Sequence, residues 1–175
     1  MTKKQTSRSK ILQSAWWAVA LVVAFFSQMG FAETPDRFAR SFSDFKFVYH
    51  EKVQEPEAFL ASRSGDCDDF ATLAAKVLGE SGFVTHLYAV RMKGETHVVC
   101  YVPETGSYLD YNERAQPNPL VACDGTLKDI ARKVSRSFGR DWLSAYEFSY
   151  REKMKWLVNP ILFNKSSAGT LLASE

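Results

Sequence analysis

Along residues 67–78 the apolar positions Phe70, Leu73, Ala74, Val77 and Leu78 recur at i, i+3, i+4, i+7 and i+8, which predicts an amphipathic helix beginning at Cys67. Asp66 or Ser64 supplies the N-cap, and Gly79 and Gly82 supply the stop. Cys67 lies three residues before Phe70 and seven before Ala74, so it belongs to the core-facing stripe. A thiol in this position meets the unpaired N–H groups and positive dipole end of the helix, which favour its thiolate. Taken alone, the placement fits a small buried hydrophobe just as well.

The pattern then changes to runs rich in β-formers. Residues 83–92, 96–102 and 107–111 read as three strands, separated by turns at Lys93-Gly94-Glu95 and Pro103-Glu104-Thr105-Gly106. They predict an antiparallel meander packed on the cysteine helix. Upstream, Phe38, Phe42 and Phe45 suit a short helix over the core, and Pro56 opens a further helical turn before Gly65. Downstream, residues 114–119 carry two prolines and read as a surface loop. Leu127, Ile130, Ala131, Val134 and Phe138 mark an amphipathic helix ending near Gly139. Alternation at Tyr146, Phe148 and Tyr150 adds a strand.

Composition refines the picture at the chain start. Lys3, Lys4, Arg8 and Lys10 precede an apolar run over residues 11–26, and small residues at Gly30 and Ala32 follow it. That is the outline of a secretory signal peptide cleaved after Ala32. The alternative keeps residues 11–32 as a membrane anchor, and only then does the protein have a membrane partner. The domain organisation is therefore a signal peptide over 1–32, a single domain over 33–163 and a flexible tail over 164–175. Of the 175 residues, with a formal charge of +2, the mature part keeps 18 basic and 20 acidic. This balance gives no footprint for nucleic acid. Export to the periplasm or beyond permits disulfides, so Cys100 and Cys123 either pair or remain reduced and buried.

Register ties the meander to the chemistry. A four-residue loop over residues 103–106, with left-handed Gly106, pairs Val102 with Ser107 and leaves His97 one diagonal step from Asp110. A two-residue turn on Pro103-Glu104 instead sets His97 directly opposite Asp110. In both, the imidazole and the carboxylate share a face, and only a one-residue slip separates them. Cys67, His97 and Asp110 then form a set in which a thiol attacks a carbonyl, an imidazole holds the thiolate and later protonates the leaving amine, and a carboxylate fixes the tautomer. His86 is the rival base, read more simply as a strand residue.

Gly65-Asp66-Cys67-Asp68-Asp69-Phe70-Ala71, then Leu78 and Gly82-Phe83, then Thr96-His97-Val98-Val99, then Tyr108-Leu109-Asp110 resemble the transglutaminase-like superfamily of cysteine enzymes, including exported bacterial cysteine peptidases. The resemblance covers residues 55–112. It implies an α+β, papain-like core with the nucleophile helix packed on an antiparallel β-sheet, and the catalytic set Cys67, His97 and Asp110. It further implies cleavage of peptide or amide bonds through a thioester, with a protein or peptide substrate and no required cofactor. Transfer of the acyl group to an amine, or a catalytically silent module that binds a protein or cell-wall peptide, are the alternative functions. Many relatives carry an aromatic residue shortly after the histidine, where this chain has Val98-Val99-Cys100.

Two further expectations concern the surroundings of the thiol. Some exported members of the resembled group bind calcium through acidic residues flanking the cysteine, and here those are Asp66 and Asp68. Uncompensated, these charges oppose a thiolate, and a cation removes that conflict. For an oxyanion hole, the Cys67 backbone N–H is one donor, and Gln54 is the nearest upstream amide side chain.

Overall fold

The structure, a computed structural model, describes residues 33–151 and 154–165. Residues 1–32, read as a signal peptide, and residues 166–175 of the tail read over 164–175 lie outside the described residues, while Asn164, the first residue of that tail, donates to the Leu143 and Trp142 carbonyls, each at 2.9 Å. Among the described residues no helix is long and apolar enough to cross a membrane.

The first helix, α1 (Pro35–Arg40), starts from Thr34, whose hydroxyl accepts from the Arg37 N–H. A short strand β1 (Lys46–Phe47) follows, then α2 (Pro56–Ser62), which opens on the expected proline. Strand β2 (Ser64–Gly65) pairs in parallel with β1 and leads into α3 (Cys67–Glu80). The apolar stripe read from the sequence is the buried face of α3: Phe70, Leu73, Ala74, Val77 and Leu78 are all inside. The helix runs through Gly79, and the chain turns only at Gly82, with φ +93°.

The meander follows as β3 (His86–Met92), β4 (Glu95–Val102) and β5 (Ser107–Leu109). Strand β6 (Leu120–Ala122), helix α4 (Leu127–Ser137) and strands β7 (Trp142–Arg151), β8 (Met154–Leu157) and β9 (Leu162–Phe163) complete the described chain. The large sheet runs in the order β6-β5-β4-β3-β7-β8, with β9 also on β7. The added strand at 146–150 thus joins the far side of β3 from β4.

Two apolar cores lie on opposite faces of this sheet. One joins α1, α2 and α3 to Leu87, Val98, Cys100, Val102 and Leu109, and the other joins α4 to Val90, Val99, Tyr108 and Trp142. The first is built on aromatic contacts: the Phe42 ring stacks on Phe59 at 5.5 Å and meets Phe70 edge-on at 5.4 Å. Arg114, expected on a surface loop, instead holds that core shut. Its guanidinium lies 3.7 Å from the Tyr111 ring centroid, and it donates to the carbonyls of Phe42, Phe45 and Tyr111. The two faces also settle the disulfide question. Cys100 is buried in the first core while Cys123 packs against the second, and all three cysteines are free thiols.

Gly65 is a glycine because of close approach. A Cβ built there meets Asp69 Oδ2 and two Phe59 ring carbons, all at 2.6 Å. Since neither neighbour has room to retreat, Gly65→Ala is expected to destabilise the protein by about 1–3 kcal/mol in urea unfolding, the range for overpacking a filled site.

Candidate active site

The start of α3 is a closed polar network. Asp66 is the N-cap, and it forms a capping box with Asp69: the Asp66 carboxylate accepts from the Asp68 N–H at 3.2 Å, and the Asp66 N–H donates to Asp69 Oδ2 at 3.1 Å. Asp69 also accepts from the Gln54 backbone N–H at 2.6 Å and the Gln54 side-chain amide at 2.8 Å. Asp66 accepts from the His50 N–H at 2.8 Å. The segment 50–54, which bends at Glu51 and Lys52, is thereby stitched across the helix start, and Cys67 emerges beside it. Gln54 is consequently no oxyanion donor, because its Nε2 donates to Asp69 and, at 3.0 Å, to the Ser64 carbonyl. The Cys67 N–H is the donor that remains from that pair of expectations.

On the sheet the longer of the two loops is realised. Val102 pairs with Ser107, and Gly106 has φ +57°. The register brings His97 Nε2 to 2.8 Å from Asp110 Oδ1, with side chains only 3% and 2% exposed. The same oxygen accepts from the Asn112 N–H at 2.8 Å, which fixes the carboxylate. With Nε2 engaged, Nδ1 is the nitrogen left for the thiol of Cys67. Burial works against the charge on His97, but the Asp110 carboxylate, its hydrogen bond and the adjoining Cys67 outweigh burial and raise the imidazole from 6.5 to about 10. The Phe138 ring, just beyond α4, meets the imidazole at 4.9 Å with the planes inclined by 60°.

Cys67 and His97 face a common cleft of about 990 Å³. Its rim carries Phe47 and Tyr49, 61% and 74% exposed, so aromatic surface comes from upstream of the cysteine and not from just after the histidine. His86 lies elsewhere: its Nδ1 is bonded to Glu147 Oε1 at 2.7 Å, and it does not line the cleft.

Asp68 faces the same cleft. Carboxylate oxygens of Asp66, Asp68 and Asp69 lie within 4.8 Å of one another. Asp68 Oδ1 is buried without a hydrogen-bond partner, while Lys155 Nζ stands 3.6 Å from Oδ2. Burial and the neighbouring carboxylates, Asp66 first, push the Asp68 carboxyl up to about 7, against the pull of Lys155. Of the residues read from the sequence, Asp66 and Asp68 are therefore adjacent. Lys155 beside Asp68 and Phe138 beside His97 carry no local motif that would have marked them.

A thiol and an imidazole on one cleft, with a buried carboxylate bonded behind the imidazole, are carried by a helix start, a strand and the end of the adjoining antiparallel strand of an α+β protein. The chain belongs to the family described as transglutaminase-like domain, whose profile matches residues 9–117. No curated protein matches it. Among solved structures it is similar to calcium-bound LapG of Legionella pneumophila, with 15% identity and a TM-score of 0.46 over 80% of this chain and 78% of that one.

The raised His97 value has a consequence for stability. Between 6.5 and about 10 the folded chain holds a proton that the unfolded chain has lost. The contribution is thus complete below 6.5, declines as pH rises and is gone above the folded value. Thermal melts from pH 6 to 10 are expected to fall more steeply in the native protein than in His97→Gln.

Proposed function

We propose that this protein is an exported cysteine hydrolase, a peptidase or amidase, in which Cys67 is the nucleophile, His97 the acid and base, and Asp110 the orienting carboxylate. The observation that carries the reading is the buried 2.8 Å His97–Asp110 bond beside a cysteine on the same cleft. A buried carboxylate bonded to one imidazole nitrogen keeps the other aimed at the thiol, an arrangement that packing alone does not require.

In this mechanism the thiolate sulfur bonds to the carbonyl carbon and the carbonyl π electrons move to oxygen, where the Cys67 N–H is positioned to donate. Collapse of the intermediate breaks the C–N bond, and the departing nitrogen takes the proton from His97 Nδ1. Water then attacks the thioester, giving its proton to Nδ1 as the C–S bond breaks. The acid is released, and the Cys67–His97 pair again shares one proton. Phe47 and Tyr49 at the rim suit an extended peptide with apolar side chains.

The acidic cluster fits a divalent cation, and calcium is the ion its all-oxygen chemistry suits. A buried, unpartnered Asp68 oxygen beside Asp66 and Asp69 is the feature that supports this. Asp66, Asp68 and Asp69 would hold the ion, which would offset the negative charge beside the thiol. Asp66 and Asp69 retain their capping bonds in either case, because each carboxylate has lone pairs to spare.

Two outcomes are expected. Iodoacetamide alkylates Cys67 at neutral pH, and His97→Ala slows the reaction roughly tenfold or more, as the thiol loses the imidazole beside it. Equal rates in the two proteins would contradict the pairing. Calcium raises the melting temperature, corresponding to about 2.7 kcal/mol at a hundred times Kd, and chelator reverses it. Asp68→Ala is expected to melt at the same temperature with and without the ion, and a native protein indifferent to calcium would remove the site. Added amine in a turnover assay separates hydrolysis from acyl transfer by the product formed.

A further inference from the structure

The His97–Asp110 bond is a thin partition. His97 borders the large cleft, whereas Asp110 borders a second hollow of about 340 Å³ shared with Tyr108, Lys133 and Arg136. Even so, the two side chains are only 3% and 2% exposed. The last turn of α4 and its C-cap stand between the hollows: Arg136 and Ser137 face the second, and Phe138 faces the first. It is the Phe138 ring that touches the imidazole.

We propose that Phe138 is a positioning residue, a hydrophobic shield that keeps water from the His97–Asp110 bond and holds the imidazole plane toward Cys67. The inference rests on the reading of Cys67 and His97 as the reacting pair only for its effect on reactivity; the shielding itself stands apart from it. A hydrogen bond between buried partners is electrostatically stronger than one open to water, and water that reaches either partner competes for it. A phenyl ring in contact with an imidazole excludes water from that side and offers no competing donor or acceptor.

The backbone around Phe138 is built to hold the ring still. Phe138 is the C-cap of α4, Gly139 takes the left-handed conformation at φ +61°, and the Arg140 N–H returns to the Ser135 carbonyl at 3.0 Å. Arg140 Nη1 then donates to Glu95 Oε2 at 3.1 Å and to the Lys93 carbonyl at 3.3 Å. Those residues form the turn and first position of β4, the strand that carries His97 two residues later. The end of α4 and the histidine strand are thus fastened together at a point beside the ring contact.

The test reads the His97 Nε2–H proton by NMR in the full-length native protein and its variants. In the native protein this proton is expected to appear far downfield and to exchange slowly with water. Phe138→Ala is expected to accelerate its exchange roughly tenfold or more, as local opening replaces protection. Phe138→Leu, which preserves the bulk, is expected to restore the slow exchange. Arg140→Gln, which loosens the clamp without touching the ring, is expected to show a smaller acceleration and covers the case in which Phe138→Ala does not fold. Slow exchange retained in a folded Phe138→Ala, or in Arg140→Gln if that is the only folded variant, would overturn the proposal; so would a Phe138→Leu protein as open as Phe138→Ala. Alkylation of Cys67 in Phe138→Ala is expected between the native and His97→Ala rates. If His97→Ala leaves alkylation unchanged while Phe138→Ala still opens the exchange, the shield stands and the reading of the thiol fails.

Discussion

Everything in this site depends on one buried hydrogen bond, from the His97 imidazole to the Asp110 carboxylate. A carboxylate taken out of water is costly unless it is paired and hydrogen-bonded, and here the imidazole and the Asn112 N–H meet that demand on a single oxygen. The pairing depends on the register of β4 against β5, because a one-residue slip would leave the two groups on opposite faces. It also determines the tautomer: with Nε2 committed, only Nδ1 can serve the thiol. Under the proposed reading, structure and reactivity therefore share the same constraint.

The start of α3 poses a second electrostatic problem. A helix N-terminus favours a thiolate, yet Asp66, Asp68 and Asp69 crowd the same turn with negative charge. Asp66 and Asp69 are absorbed by the backbone: they accept from Asp68, His50, Gln54 and Asp66 N–H groups and thereby position the wall of the cleft. Asp68 is the member left over, with one oxygen buried and unpartnered and the other only 3.6 Å from Lys155. The lysine ammonium from β8 partly balances the cluster from across the cleft. This division of labour explains why three adjacent carboxylates, alike in sequence, differ in what they do.

Periodicity carried the helix from Cys67, the meander and the shared face of His97 and Asp110, because each follows from backbone geometry within a short stretch. The resemblance to transglutaminase-like enzymes was legible for the same reason: its motifs sit on those local elements. What escaped the sequence depends on distant packing. Gln54 has the right chemistry for an oxyanion donor, but its amide is occupied by Asp69 and Ser64, which no local pattern reveals. Arg114 reads as a loop residue and proves to be a core clasp because three carbonyls from two segments converge on it. The short strands β6, β8 and β9 lack enough alternation to announce themselves, and without β6 the placement of Cys123 away from Cys100 was out of reach. Phe138 reads as the last apolar position of an amphipathic helix, and its contact with His97 emerges only when α4 is laid across the sheet.

On the proposed reading, a buried carboxylate and imidazole make Cys67, alone among three free cysteines, an acyl acceptor. It is tested most directly by mixing the protein with p-nitrophenyl acetate in a quenched-flow instrument and mapping the acetyl group by peptide mass spectrometry. A rapid burst of nitrophenolate with the acetyl on Cys67 is expected, followed by slower turnover. A steady release without a burst, or acetylation spread over Cys67 and Cys123 alike, would contradict it.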